Sequence, residues 1–161
     1  MGGYVHGNEP SHHVAYMYNW TGKPWKTQQR IHEIMKTKYL NKPDGLCGND
    51  DCGQMSAWYI FSSLGFYPVC PGSGQYVIGA PSIKEAKIKL ENGKTFVIKA
   101  PNYTDKHIYI KSVTLNGKNW NKTYINHADI VKGGELIFKM SKYPNKKWAT
   151  ESDSKPKSTT D

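Results

Sequence analysis

Apolar residues recur every three or four positions through the first seventy residues and every second position beyond them. Residues 11–19 (SHHVAYMYN) follow a proline and carry Val14, Met17 and Tyr18 at helical spacing, and Thr21-Gly22 breaks the pattern. Pro24 then stands where a first-turn proline is tolerated. Ile31, Ile34, Met35 and Tyr39 follow at steps of three and four, which predicts a second helix. Pro43-Asp44-Gly45 reads as a turn. Residues 53–64 are almost continuously apolar around Trp58, and Gly65 with Pro68 supplies a stop. A helix apolar on all sides has to be buried on several of them.

After Cys70-Pro71-Gly72 the period falls to two. Tyr76-Val77-Ile78, residues 86–90, 95–98 and 107–115, Tyr124-Ile125 and residues 135–140 read as five or six strands. Glu91-Asn92-Gly93-Lys94 and Asn116-Gly117 are the hairpin turns among them. The tail, 149–161, is rich in Pro, Ser, Thr and Lys and is expected to be disordered. The expected fold class is thus α+β, with a helical part over 1–70 and an antiparallel β-rich part over 71–148. A small sheet covers one face of a helix, not all of them. The chain therefore reads as the C-terminal end of something larger.

The formal charge of +9 is uneven, with net +1 over residues 1–70 and net +8 over 71–161. A basic half raises nucleic acid as a partner. Its lysines, however, stand singly among strand residues (Lys84, Lys87, Lys89, Lys94, Lys99), the pattern of a solvated sheet face, and no nucleic-acid partner is expected. No apolar run reaches the roughly 18–20 residues that cross a bilayer, so no membrane span is expected. Met1-Gly2-Gly3-Tyr4 has neither the charged nor the apolar region of a signal peptide. Cys47, Cys52 and Cys70 match neither a zinc ribbon nor a redox CxxC pair, and read as packing or incidental thiols.

Two clusters carry candidate chemistry. Asn49-Asp50-Asp51 lies in a glycine-flanked turn directly before the apolar helical run. Carboxylates at a helix N-terminus can bind a cation, activate a water, or simply cap the helix. Gly7-Asn8-Glu9-Pro10-Ser11-His12-His13 offers hard oxygen ligands of the kind calcium takes, or merely opens a helix with its histidines on the surface. Neither is an HExxH zinc site or an EF-hand loop. Tyr4, Trp20, Trp25, Trp58 and Tyr59 include possible sugar-stacking platforms, but most buried tryptophans are core, and Trp58 is assigned to it.

The runs GNEPSHHVAYMYNWTGKPWKTQ, GLCGNDDCGQMSAWYIFSSLGFYPVCPG and YVIGAPSIKEAKIKL resemble the C-terminal part of glycoside hydrolase family 92, the calcium-dependent exo-acting α-mannosidases. YIKSVTLNGK, YINHADIVKGGELIFKM and PNKKW extend the resemblance to residues 4–148. It implies an N-terminal β-sandwich followed by an (α/α)6 barrel. This chain would then hold the last barrel helices and a closing antiparallel sheet or sandwich. It also implies hydrolysis of α-mannosidic bonds in N-glycan or mannan substrates with inversion, one carboxylic acid protonating the leaving oxygen and an opposite carboxylate activating water.

Carried over by residue, the resemblance makes Asp51 the general base, with Asp50 or Asn49 assisting. Asn8 and Glu9 would contribute to a Ca2+ and sugar site, with His6, His12 and His13 facing the substrate beside Glu9. A base at a helix N-terminus is expected to have a lowered pKa. The general acid of the family lies upstream of the GNEP block, and no carboxylate precedes Glu9 here. The missing sandwich and barrel helices are the implied partners, and the 161-residue chain by itself is expected to be inactive. The resemblance places the full-length enzyme in a periplasm or at the cell surface. The alternative is a non-catalytic, carbohydrate-binding remnant.

Overall fold

The computed structural model describes residues 3–158. Two 3-10 turns, Glu9–Ser11 and Val14–Asn19, lead into α1, Pro24–Lys38. The first predicted helix is therefore two short 3-10 pieces, interrupted at His12 and His13. α1 starts on Pro24 and buries Ile31, Ile34 and Met35, the stripe read from the sequence. α2, Gln54–Leu64, is bounded by two left-handed glycines, Gly53 (φ 87°) and Gly65 (φ 97°). It buries Met55, Trp58, Ser62 and Ser63, whereas Tyr59 and Ile60 stay 40% and 59% exposed, so this nearly all-apolar helix is covered on one side only.

Eight strands follow: β1 Phe66–Tyr67, β2 Gln75–Ile78, β3 Glu85–Lys89, β4 Thr95–Lys99, β5 Tyr109–Leu115, β6 Lys118–Asn119, β7 Tyr124–Asn126 and β8 Gly134–Ser141. A short helix, α3 (His127–Val131), opens on a reciprocal Asn126–Asp129 capping box between β7 and β8. β1-β2-β7 form one antiparallel sheet, and β3-β4-β8-β5-β6 the other. The expected all-antiparallel arrangement is corrected at one seam: β8 runs parallel to β4, Phe96 pairing with Gly134 and Lys99 with Ile137. The cause is topological. β3-β4 and β5-β6 are hairpins, and β8 returns last to fill the gap between them, so it can be antiparallel to β5 yet parallel to β4. The α+β class stands.

Two apolar cores result. One gathers Tyr16, Ile31, Ile34, Trp58, Tyr67 and Val77; the other gathers Phe66, Phe96, Ile110, Ile125, Leu136 and Phe138 with other sheet residues. Phe61 packs against both. Between them Gln28 of α1 accepts the buried Ile110 N–H of β5 at 3.0 Å.

The tail departs from its expected disorder over its described part. Ser154 and Pro156 are buried, the Ser154 carbonyl accepts from Thr123 N–H at 2.8 Å and Thr123 Oγ1 at 3.0 Å, and Lys157 N–H donates to Gln75 Oε1 at 3.1 Å. Composition hides this because the partners, Thr123 just before β7 and Gln75 in β2, lie far away in the sequence. Residues 159–161 lie outside the described residues.

Candidate active site

The two motif blocks meet at their glycines. A Cβ on Gly7 would stand 2.7 Å from the Cys47 carbonyl oxygen, and one on Gly48 would stand 2.7 Å from both Gly7 Cα and Gly7 O. Only a hydrogen fits on either side. This backbone-to-backbone seam sets the Gly7-Asn8-Glu9 loop against the Gly48–Asp51 turn and brings the Glu9 and Asp51 carboxyls into hydrogen-bonding contact.

The two carboxyls perturb one another's titration in opposite directions. Asp51 is held above the ordinary aspartate range, first by its hydrogen bond to Glu9 and then by the charge of Glu9. Glu9 is correspondingly held low, first by its hydrogen bond to Asp51. The expectation of a lowered pKa at Asp51 is thus corrected. α2 begins only at Gln54, and the neighbouring carboxylate outweighs its dipole. Glu9 Oε1 is buried and has no hydrogen-bond partner. Such an oxygen suits a cation ligand. Asn8 is exposed beside it. Among the described residues no three His, Cys, Asp or Glu side chains are grouped to hold a metal ion. Asn8 and Glu9 therefore offer only part of the six to eight oxygens, approximately, that calcium takes.

The adjacent aspartates behave differently. Asp50 Oδ1 accepts Ser56 N–H at 2.8 Å and Oδ2 accepts the Ser56 hydroxyl at 2.9 Å, so Asp50, from three residues before the N-cap Gly53, satisfies a first-turn donor of α2. Asp51 (φ 42°), Cys52 (φ 58°) and Gly53 (φ 87°) then form a run of three left-handed residues. This run turns the chain from Asp50 into α2 and leaves Asp51 exposed. Non-glycine residues adopt that conformation at a cost, which clusters at functional sites. Asn49 is exposed on the same turn.

The histidines divide. His6 and His12 are each 2% exposed, whereas His13 is exposed. Tyr39 Oη donates to the Met55 carbonyl at 3.0 Å and so accepts from His6 Nε2 at 2.7 Å, leaving His6 Nδ1 to accept from Tyr4 Oη at 2.7 Å. His12 Nε2 donates to the His6 carbonyl at 3.0 Å, and its Nδ1 receives Gln54 Nε2 at 3.3 Å. Burial pushes the His6 pKa down to about 4 and lowers that of His12. Both rings have their nitrogens committed inside the chain, and they pack on Trp58, whose indole N–H donates to the His12 carbonyl at 3.1 Å. They buttress the Glu9 loop from behind. His13 is the histidine that the fold leaves on the surface.

Sequence reasoning missed Ser56, Gln54 and the Tyr39 hydroxyl. The one available signal was a serine in the first turn of a helix that follows an acidic turn. A groove of about 760 Å3, bordered by Tyr39, Leu40, Ser56, Tyr59, Ile60 and Tyr103, opens beside the clamp on Asp50. Among the described residues no helix is long and apolar enough to cross a membrane.

Residues 1–142 match the profile of the glycosyl hydrolase family 92 catalytic domain. The chain is 32% identical over 155 residues to an uncharacterised secreted glycosidase of Arthroderma benhamiae, covering 94% of this chain and 20% of that protein. It superposes on a family 92 α-mannosidase of Bacteroides thetaiotaomicron with a TM-score of 0.94 and 47% identity, covering 98% of this chain and 21% of that one. The same enzyme is known in complex with mannoimidazole. A family 92 inverting mannosidase of the same bacterium gives a TM-score of 0.93 and 41% identity, covering 100% of this chain and 22% of that one. The chain thus spans about a fifth of the length of these relatives.

Proposed function

The chain belongs to glycosyl hydrolase family 92, and from that premise we propose that it forms the closing part of a calcium-dependent, inverting exo-α-mannosidase, with Asp51 as general base. The observation that carries this reading is the Gly7–Gly48 seam, which sets the Asp51 turn against the Glu9 loop. Asp51 stands exposed on a left-handed turn, where its carboxylate is open to a water. In the proposed step the water oxygen bonds to the anomeric carbon from the face opposite the leaving group. Its proton passes to Asp51, and the glycosidic C–O bond breaks. The leaving oxygen takes a proton from a carboxylic acid that this chain does not supply. Asp50 and Asn49 orient Asp51 from the same turn. His13 lies within reach of solvent and of a sugar at the rim, while His6 and His12 hold the Glu9 loop in place.

Asn8 and Glu9 would hold calcium, with the unpartnered Glu9 Oε1 as the leading ligand and the remaining oxygens drawn from sugar, water or other parts of the protein. The chemistry that ion supplies when bound is to grip sugar hydroxyls and ease distortion of the ring. In this reading the rest of the barrel and the N-terminal sandwich supply the acid and cover Tyr59 and Ile60. The substrate class is α-mannosides of the N-glycan or mannan type, α-1,2-linked. Support comes from the α-mannosidase activity and mannoimidazole complex named for the solved relatives, and an exported protein fits the secreted relative.

The test is mannose release from an α-1,2-mannobioside by the chain joined to its preceding polypeptide. The joined protein is expected to be active, to lose activity to a calcium chelator and to regain it with Ca2+. Asp51→Asn is expected to abolish turnover, and Asn8→Ala and Glu9→Ala to weaken calcium binding in titrations. Release of mannose by the 161-residue chain alone would overturn the assignment of the acid to another segment.

A further inference from the structure

Asp50 and Asp51 are neighbours of identical chemistry, yet their side chains take opposite directions. Asp50 is gripped at both oxygens by a single residue, Ser56, through its N–H at 2.8 Å and its hydroxyl at 2.9 Å. Ser56 is the third residue of α2, so its N–H is one of the donors that the helix leaves unpaired. Its hydroxyl is the only one in the first turn: Gln54 precedes it with an amide committed to Tyr67 Oη at 2.9 Å, and Met55 has no polar group to offer. The main chain reinforces the clamp, with Met55 N–H donating to the Asp50 carbonyl at 3.3 Å. Ser56 is half-buried, and Asp50 beside it likewise. One residue further on, the left-handed pair Asp51 and Cys52 carries the Asp51 carboxyl away from the helix to Glu9.

We propose that Ser56 is a positioning residue for the reaction. By fixing Asp50 at two points it anchors the start of the left-handed turn, and so sets where Asp51 stands relative to Glu9 and the attacking water. The proposal rests on the reading of Asp51 as the base. Ser56 does not reach the sugar in this account; it acts through Asp50. Without its hydroxyl, Asp50 Oδ2 is free to swing out, and the turn loses one of its two side-chain anchors. Three carboxylates would then compete for the space that Glu9 and Asp51 now share.

The experiment uses the chain joined to its preceding polypeptide, with initial rates on α-1,2-mannobioside. Ser56→Ala is expected to lower kcat about tenfold, because small displacements of a catalytic group are costly, and to leave KM within about twofold. Ser56→Thr, which keeps the hydroxyl, is expected to retain at least about half of kcat, and the nearly isosteric Ser56→Val to lose as much as Ser56→Ala. The Thr and Val pair carries the comparison if Ser56→Ala does not fold. Asp50→Ala is expected to lose about as much as Ser56→Ala, and the double variant no more than about twofold beyond either, since both release the same clamp.

Wild-type kcat in Ser56→Ala, equal losses in the Thr and Val variants, or additive losses in the double variant would each overturn the proposal. So would complete inactivity of Asp50→Ala, which would place Asp50 itself in the chemistry. A lowered melting temperature with unchanged kcat per folded molecule assigns Ser56 to stability alone and counts against the proposal. The reading beneath it is scored separately: turnover in Asp51→Asn defeats the assignment of the base, whatever the Ser56 series shows.

Discussion

Gly7 and Gly48 touch backbone to backbone, and that contact is what places Glu9 beside Asp51. Neither glycine has a left-handed φ, so an alanine meets no conformational penalty at either place and only the space is at issue. Gly7→Ala and Gly48→Ala are each expected to cost about 1–3 kcal/mol of stability through forced separation of the loops. Each is also expected to lower kcat/KM by an order of magnitude or more in the joined enzyme. Gly72→Ala is the control: nothing lies within 4 Å of its Cβ position, and its urea midpoint is expected to match the wild type.

Cys52 sits in the middle of the left-handed run at φ 58°. Cys52→Gly is expected to stabilise the protein by about 0.5–1 kcal/mol, the relief of the Cβ clash exceeding the added chain entropy. Cys52→Val is expected to destabilise it by more than about 1 kcal/mol, since β-branched residues fit that region worst. Urea unfolding of both variants gives the comparison, and a Val variant as stable as the Gly variant would refute the strain.

Tyr16 is fully buried and its hydroxyl meets Ser62 Oγ at 2.8 Å. Burial raises its pKa well above the unfolded value of about 10. The unfolded chain therefore releases this proton first as pH rises. The associated stability is complete below about pH 10 and is lost as the solution moves above it. Tyr4 and Tyr39 are raised in the same direction. Urea midpoints from neutral to strongly alkaline pH are expected to fall, and Tyr16→Phe is expected to flatten the fall while costing about 1 kcal/mol at neutral pH. An equally steep fall in Tyr16→Phe would remove Tyr16 as a source.

Gln28 is the polar joint between the two cores, accepting the Ile110 N–H where no water reaches. Gln28→Leu is expected to cost about 1–3 kcal/mol by leaving that amide unpaired, and to speed hydrogen exchange at Ile110 more than elsewhere in β5. Unchanged protection at Ile110 would show that the bond carries no weight.

Much of this fold is written in short-range pattern. The α1 stripe and the alternation in β4 and β8 were legible because one face of each element meets a core and the other meets water. The parallel seam between β4 and β8 was not, because pairing across the intervening strands leaves no local mark. The Ser154 anchor was hidden likewise, being a backbone carbonyl bound by Thr123 inside a polar tail. At the site, both loops were visible as motifs. What the motifs could not reveal is how the dipeptide divides: Asp50 is tied at both oxygens to Ser56, while Asp51 stays exposed on the left-handed turn.

Phe61 belongs to both cores at once, its ring tilted against Phe66 and Tyr76 and nearly perpendicular to Tyr67. The helical and β-rich parts are consequently poor units of exchange. A chimera that takes its helices from one relative and its sheets from another inherits mismatched surroundings for this single ring. Grafts that keep α2 with its own β1 and β2 preserve the immediate surroundings of this ring.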